Sequence, residues 1–227
     1  MEISQKIKIK STDAQIFSKI KVGGKPLFDG AQRKVAVLYG LANKRSLYAY
    51  MYIFQIYHDI EQLVNNISSV IKKIKRLIKG KQGKIPDVTV KKFNSKTLSF
   101  SNPLHFGLIR LLELHDDLIL WLNLAQDCGA FLGSTKYFAI KHEVRNKILN
   151  LLFSTNFLNT EQLQDVNFNH YLDNDKLYQE KKLKYGEVDP NVFYIAVTSS
   201  VTPKLTSEEI NKISYKLKTS LANHFLK

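Results

Sequence analysis

The 227-residue chain contains little cysteine, proline or glycine. Cys128 is its only cysteine, which excludes an intramolecular disulfide and fits a reducing compartment. Five prolines and ten glycines are too few for collagen-like or long disordered stretches. The N-terminal residues also lack the apolar core of a signal peptide. These absences predict a globular protein of the cytoplasm.

Uninterrupted apolar runs of membrane-spanning length are absent as well. The two most apolar stretches, 35–60 and 104–124, each carry several charged residues. A charge near the centre of a bilayer is costly, so both stretches predict amphipathic core helices. No membrane partner is expected.

Acidic residues are scarce relative to basic ones. The chain has 34 Lys and Arg against 20 Asp and Glu, which gives a formal net charge of +14 and a pI of about 9.6. Such a charge attracts polyanions, and DNA, RNA and anionic membrane surfaces are the candidates. A generic basic surface that keeps the protein in solution is the alternative.

Hydrophobic periodicity predicts a mainly helical chain with a few short strands. Alternating Lys and Ile predict a strand over 6–10, and a short helix is expected over 13–21. Apolar residues at helical spacing predict a long helix over 32–79 that breaks near Gly40. Residues 88–100 alternate again and predict one strand, or two strands with a hairpin turn at Asn94-Ser95.

The later elements are predicted mainly from their boundaries. Asn102-Pro103 is typical of a helix start, so a helix is expected over 103–127 and a second over 134–153. The apolar run 192–199 predicts a buried strand. Thr206, followed by two glutamates, predicts the start of a final helix.

Motifs for catalysis or metal binding are missing. The sequence has no HExxH, no paired cysteines and no glycine-rich phosphate loop. Residues 113–117 hold its densest group of histidine and acids, but the Glu-x-x-His repeat of bundle metal sites is absent. We therefore expect no enzyme activity, no catalytic residue, no metal, no cofactor and no small-molecule substrate.

Basic residues crowd into 72–96, where Asp87 is the only acid. Crowding of one sign is self-repelling, and contact with phosphates would relieve it through counterion release. A solvated helix end is the alternative interpretation. The cations predicted to contact DNA are Lys72, Lys73, Lys75, Arg76, Lys79, Lys81, Lys84, Lys91, Lys92 and Lys96.

The end of this segment predicts a base-reading strand. Lys91, Thr97 and Ser99 would project together from a ribbon whose other face is apolar. A two-stranded ribbon fits the DNA major groove, where such side chains bond base edges. A strand followed by two helices, over about 88–153, has the order of a ribbon–helix–helix module. In that fold each protomer supplies one strand, so a homodimer is expected.

The predicted fold class is therefore mainly α with a few short β-strands. Residues 1–155 are expected to form a helical domain that contains a ribbon–helix–helix-like module elaborated with extra helices. Residues 156–227 are expected to be a C-terminal extension of unknown role, packed on the same domain. Five aromatic residues within 48–57 fit core and dimer contacts, or the stacking of unpaired bases.

Four segments resemble a known family in their order and spacing. They are Gly30-Ala-Gln-Arg33, the strand leading into 100–106, the segment 110–116, and Cys128-Gly129. Over about residues 3–153 the sequence resembles the AcaB-like family of conjugative plasmids and integrating conjugative elements. The resemblance implies a DNA-binding transcriptional activator of conjugative-transfer genes with a ribbon–helix–helix-like dimer. Only the ribbon face within 91–99 is carried over, and the family supplies no catalytic residues.

The favoured prediction is a homodimeric, sequence-specific regulator that binds double-stranded DNA and activates conjugative-transfer genes. The ribbon would read bases, and the lysine-rich helix end would hold phosphates. One alternative is a structural or accessory protein of a conjugation system that binds DNA non-specifically or binds another protein. Another is a single-strand or RNA binder that uses the tyrosines of 48–57.

Overall fold

The computed structural model describes residues 3–11, 19–22, 24–86, 94–131, 134–161 and 163–225. Most of these residues are helical. A short 3-10 turn covers Leu163–Asp165. The strands and helices, in chain order, are β1 Ile3–Ile9, β2 Lys21–Val22, β3 Lys25–Pro26, α1 Leu27–Asn43, α2 Leu47–Gln82, β4 Asn94–Phe100, α3 Pro103–Asp127, α4 Ser134–Asn156, α5 Phe168–Leu172, α6 Lys176–Tyr185, α7 Pro190–Thr198 and α8 Ser207–Phe225.

The long helix predicted over 32–79 is two helices, and they separate later than Gly40. Gly40 lies inside α1, where a single glycine is tolerated. The break falls at Arg45, whose φ of 65° lies in the left-handed region that ends many helices. Ser46 then starts α2, because its hydroxyl accepts the backbone N–H of Ala49 at 3.3 Å.

The chain divides into two compact units. The first unit contains Met1–Lys34 and His58–Phe157, and the second contains Val35–Tyr57 and Leu158–Lys227. Both units are therefore discontinuous in sequence.

The core of the first unit is built on α2 and α3. Buried isoleucines, together with Val64, recur along α2 at spacings of three and four residues, which gives this helix one apolar face. Gly107 of α3 lies against Ile60, and a Cβ there would be 3.0 Å from the Ile60 Cγ2. Farther along, the Gln82 side chain donates to the Cys128 carbonyl at 3.4 Å. Both contacts join positions about 46 residues apart, so α2 and α3 run parallel.

The start of α3 confirms the prediction from Asn102-Pro103. The Asn102 side chain accepts the backbone N–H of His105 at 2.9 Å, and Pro103 occupies the first turn. The proline has no N–H to leave unsatisfied there. At the far end α3 is followed by α4, and the Tyr137 hydroxyl of α4 donates to Asn123 of α3 at 2.7 Å.

β1 and β4 form a two-stranded antiparallel ribbon within the chain. Ile3 lies opposite Phe100 and Ile9 lies opposite Asn94. The ribbon is fixed to α3 through Asp116, whose carboxylate accepts the backbone N–H groups of Lys10 at 2.8 Å and Ser11 at 2.7 Å. Asp116, which is 2% exposed, thus supplies hydrogen-bond acceptors for the backbone N–H groups that follow β1.

The prediction of a ribbon–helix–helix-like module over about 88–153 is therefore wrong. That module requires one strand from each protomer, whereas β4 pairs with the N-terminal strand of its own chain. The suggested hairpin turn at Asn94-Ser95 is also wrong, since both residues lie within β4. Residues 87–93, including Lys91 and Lys92, and residues 12–18 of the expected helix over 13–21 fall outside the described residues.

In the second unit, the apolar run predicted as a strand over 192–199 is helix α7. Asp189 caps this helix, because its carboxylate accepts the backbone N–H groups of Asn191 at 2.8 Å and Val192 at 3.0 Å. Pro190 lies in the first turn. An apolar run of this length is compatible with either structure, and the Asp-Pro pair before it decides for a helix.

The final helix, α8, confirms the predicted start at Thr206. The Thr206 hydroxyl accepts the Glu209 N–H at 3.2 Å, and the Glu209 carboxylate accepts the Thr206 N–H at 2.8 Å. This reciprocal pair is a capping box. Glu209 also binds the guanidinium of Arg45, at 2.7 and 3.0 Å, so the turn between α1 and α2 is tied to α8.

Candidate nucleic-acid interface

The excess positive charge of the protein belongs almost entirely to the first unit. That unit contains 23 Lys and Arg against 11 Asp and Glu, whereas the second contains 11 against 9. The first unit therefore carries +12 of the formal net charge of +14. A polyanion would be attracted to this part of the protein.

A dense positive surface lies at the C-terminal end of α2. No acidic residue occurs between 62 and 86. Six of the seven cations in this stretch are exposed, and none of the six forms an ion pair within the described parts of the chain. We call these six residues the basic patch: Lys72, Lys73, Arg76, Lys79, Lys81 and Lys84.

Lys72, Lys73 and Arg76 lie on the side of α2 opposite its buried face, and Lys79, Lys81 and Lys84 continue the patch at and beyond the end of the helix. Ile71, Ile74 and Ile78 point into the core, so the exposed cations between them share the outer surface of the helix. From Lys72 to Lys81 the helix rises about 14 Å at ~1.5 Å per residue. One DNA strand carries a phosphate about every 3.4 Å of helix axis, so this length corresponds to roughly four phosphates.

The helix dipole accounts for only part of the patch. Cations are favoured within the last turn of a helix, and Lys79 and Lys81 lie in that turn. Lys72, Lys73 and Arg76 precede it, and their charges have no such compensation. The solvated-helix-end interpretation therefore explains two of the cations of α2 and leaves the others unexplained.

Lys75, also predicted as a DNA contact, is placed differently from the patch. Its ammonium lies 4.3 Å from the ring centre of Trp121 on α3. Lys75 is half-buried, and this cation–π contact already compensates part of its charge. Among the cations of α2, Lys75 is thus the one with a structural role.

The ribbon brings together residues of β1 and β4 that are far apart in sequence. Residues directly opposite each other in an antiparallel pair lie in the same row of a ribbon. Thr97 is opposite Lys6, Ser99 is opposite Ser4, and Lys8 is opposite Ser95. Lys8 is exposed, while the next residue, Ile9, is buried. We call this row the polar row: Ser4, Lys6, Lys8, Ser95, Thr97 and Ser99.

Lys96 belongs to the other row of the ribbon. It lies opposite Ile7, in the row that includes the buried Ile9. The structure therefore separates Lys96 from Thr97 and Ser99, which were predicted together with it. Lys6 and Lys8 were missed as site residues, because the alternation of 6–10 was recognised but its strand partner was not.

Two of the four tyrosines of 48–57 are buried, and the other two are half-buried. Tyr48 and Tyr50 are buried in the second unit, where their hydroxyls donate to the carbonyls of Gly186 at 3.2 Å and Pro203 at 2.8 Å. Burial raises the pKa of the Tyr50 hydroxyl to about 12. For these two residues the core interpretation is confirmed, and neither is available to stack on a base.

The acids of 113–117 serve the structure of the first unit. Asp116 holds the end of β1, and Asp117 pairs with the Lys10 ammonium at 2.8 Å. Burial raises the pKa of the neighbouring Glu113 carboxyl. The described residues include no group of three or more His, Cys, Asp or Glu placed to hold a metal ion. Across the same ranges, every helix falls short of the length and apolar character that a bilayer crossing needs.

Comparisons with known proteins found one structural likeness. No protein-family model and no curated protein sequence matched the chain. A crystal structure of selenomethionine-containing AcaB from uropathogenic E. coli aligns with 96% of this chain and 98% of its own, with a TM-score of 0.49 and 11% sequence identity. The likeness is weak, so membership of the AcaB-like family stays a prediction.

Proposed function

We propose that the protein is a double-stranded DNA-binding regulator whose DNA contact lies on the first unit. The observation that carries this proposal is the basic patch, six exposed cations without an ion-pair partner in the described residues, on the unit that holds +12 of the net charge. Phosphate contact would replace their mutual repulsion with favourable pairing and release counterions.

The proposed contact has two parts with different tasks. The basic patch binds phosphates, which fixes position but carries no sequence information. The polar row of the ribbon enters the major groove, where the hydroxyls of Thr97 and Ser99 and the ammonium of Lys6 bond base edges. A ribbon made within one protomer can do this without an exchanged strand. Lys91, Lys92 and Lys96 are proposed as additional phosphate contacts.

We further propose that the protein activates conjugative-transfer genes as a homodimer. Activation of conjugative-transfer genes and action as a homodimer come from the sequence resemblance, and a cytoplasmic location is proposed from the single cysteine. The protein needs no catalytic residue, metal or cofactor for this role. Two copies would present two ribbons to two half-sites, and their spacing would follow the two-fold axis.

Selection of bound sequences from random duplex DNA tests the base-reading part. The wild-type protein should enrich a defined motif, and Thr97→Ala should reduce its preference for that motif by about tenfold. Thr135→Ala removes an exposed hydroxyl of α4 and serves as the matched control, with preference unchanged. Light scattering of the free protein and of the complex measures the number of copies bound.

A non-specific DNA-binding accessory protein is the second candidate. It is favoured by the basic patch itself, because phosphate contacts are independent of sequence. Under this alternative, the selection would enrich no motif, Thr97→Ala would bind like the wild type, and affinity would still fall steeply with salt.

A further inference from the structure

A cavity of about 300 Å³ lies in the second unit, and no residue of the basic patch or the polar row lines it. Three segments that are distant in sequence form it: the turn between α1 and α2, the region of α5, and the first half of α8. Its volume is at the lower end of the range for small-molecule sites. We call it the turn cavity, and its lining residues are Lys44, Arg45, Asn167, Phe168, Asn169, Leu172, Glu209, Lys212 and Ile213.

The turn cavity carries an uncompensated positive charge. Its single acid, Glu209, is neutralised by Arg45, whose guanidinium donates to both carboxylate oxygens, at 2.7 and 3.0 Å. Lys44 and Lys212 are exposed, and neither forms an ion pair within the described ranges. Two positive charges therefore remain for a ligand.

The backbone holds the cationic side of the turn cavity in place. Arg45 has a φ of 65°, a conformation that non-glycine residues adopt at a cost and that recurs at binding sites. The backbone N–H groups of Lys44 and Arg45 donate to the carbonyls of Leu41 at 3.0 Å and Ala42 at 2.8 Å. The pair with Glu209 fixes the guanidinium, so the turn is ordered before any ligand binds.

The opposite side offers amide donors and an apolar floor. The Asn167 side-chain oxygen accepts the backbone N–H groups of Asn169 at 2.9 Å and His170 at 3.3 Å. That leaves the amide NH2 of Asn167 to donate to a ligand oxygen. Phe168 and Ile213 are both buried and supply apolar surface. The cavity thus combines two ammonium groups, amide donors and apolar contact.

From this combination we propose that the turn cavity binds a small organic phosphate monoester. Such a group carries a charge of about −1.5 to −2 at neutral pH, which matches the two available ammonium groups of Lys44 and Lys212. Its three terminal oxygens accept hydrogen bonds from the lysines and amides, and its organic body contacts Phe168 and Ile213. This site is separate from the DNA contact and does not depend on it.

Isothermal titration at constant ionic strength tests the proposal, with AMP, inorganic phosphate and adenosine as probes. AMP should bind the full-length protein with one saturable site, inorganic phosphate more weakly, and adenosine not at all. Lys44→Gln and Lys212→Gln should each weaken AMP binding about tenfold, through loss of one charge-assisted hydrogen bond. Lys204→Gln changes an exposed lysine of the same unit outside the cavity and should leave AMP binding unchanged.

A second variant separates the turn cavity from the basic patch. Replacing Lys72, Lys73, Arg76 and Lys79 with Gln should leave AMP binding intact, because these residues belong to the first unit. The proposal is overturned if this variant loses AMP binding, if Lys204→Gln weakens it as much as Lys212→Gln, or if AMP shows no saturable binding at millimolar concentration. Each of these results leaves the DNA-binding proposal standing, since that is measured with duplex DNA.

Discussion

Neutralising part of the basic patch should change how DNA affinity depends on salt. The variant replaces four exposed cations of α2 with Gln, which keeps a similar helix propensity. Loss of these exposed side chains should alter the free energy of unfolding by less than about 0.5 kcal/mol each, because they make no buried contact. The four positions are Lys72, Lys73, Arg76 and Lys79.

The expected magnitude follows from the six cations of the patch. If each neutralises one phosphate, the patch contributes about −5.4 to the slope of log K against log salt, at −0.9 per contact, and the proposed contacts of Lys91, Lys92 and Lys96 would add about −2.7. The variant loses four contacts, so its slope should be shallower than that of the wild type by about 3.6. At 0.15 M salt each lost contact removes about 0.7 log units of affinity by the same relation, so the variant should bind about a thousandfold more weakly.

Fluorescence anisotropy of a labelled duplex, measured at several salt concentrations, gives both slopes. The matched control has the same change in net charge, made with Gln at four exposed lysines of the second unit: Lys176, Lys184, Lys204 and Lys218. The control should keep a slope near the wild-type value. Equal losses for the two variants would refute the assignment of the phosphate contact to α2.

Three further predictions concern stability. Asp116→Ala should lower the free energy of unfolding in urea by about 2–4 kcal/mol, because it leaves two backbone N–H groups without their acceptor. The control, Asp127→Ala, changes an exposed carboxylate and should have little effect. Equal losses for the two variants would contradict the anchoring role of Asp116. Gly107→Val should cost about 1–3 kcal/mol in the same assay, because its side chain would push α2 and α3 apart, and an unchanged midpoint would argue against this close approach. The hydrogen bond to the Arg45 guanidinium lowers the pKa of Glu209 from 4.5 to about 2. The ionised carboxylate therefore contributes fully to the free energy of unfolding above pH 5, and this contribution is lost as the pH falls towards 2. Because this carboxylate is 35% exposed, the loss of free energy of unfolding should be about 1 kcal/mol. Thermal unfolding of Glu209→Gln should lack this component of the pH dependence.

Elements whose boundaries are set by local interactions could be predicted from the sequence. Asn102 and Pro103 define the start of α3 within three residues, and Thr206 and Glu209 do the same for α8. These caps act between close neighbours in sequence, so no tertiary information is needed to recognise them. The error over α7 came from an apolar run too short to distinguish a strand from a buried helix, although Asp189 and the proline after it carried the deciding signal.

The pairing of β1 with β4 could not be predicted from the sequence, and the reason is different. Ile3 and Phe100 are 97 positions apart, and nothing local to β4 indicates which strand pairs with it. The contact between Asp116 and the start of the chain is equally non-local. The basic patch could be predicted because its cations all lie within residues 72–84, whereas the polar row depends on a register that only the fold defines.

The discontinuity of the second unit has a practical and a biosynthetic consequence. A protein truncated after residue 157 would retain 35–57 but lose the segment against which those residues pack. Tyr48 and Tyr50 would lose their carbonyl partners and expose buried rings, which favours aggregation. During synthesis, residues 35–57 stay uncovered until more than a hundred later residues have been added to the chain. The first unit is therefore better studied by point substitution in the whole chain than by excision.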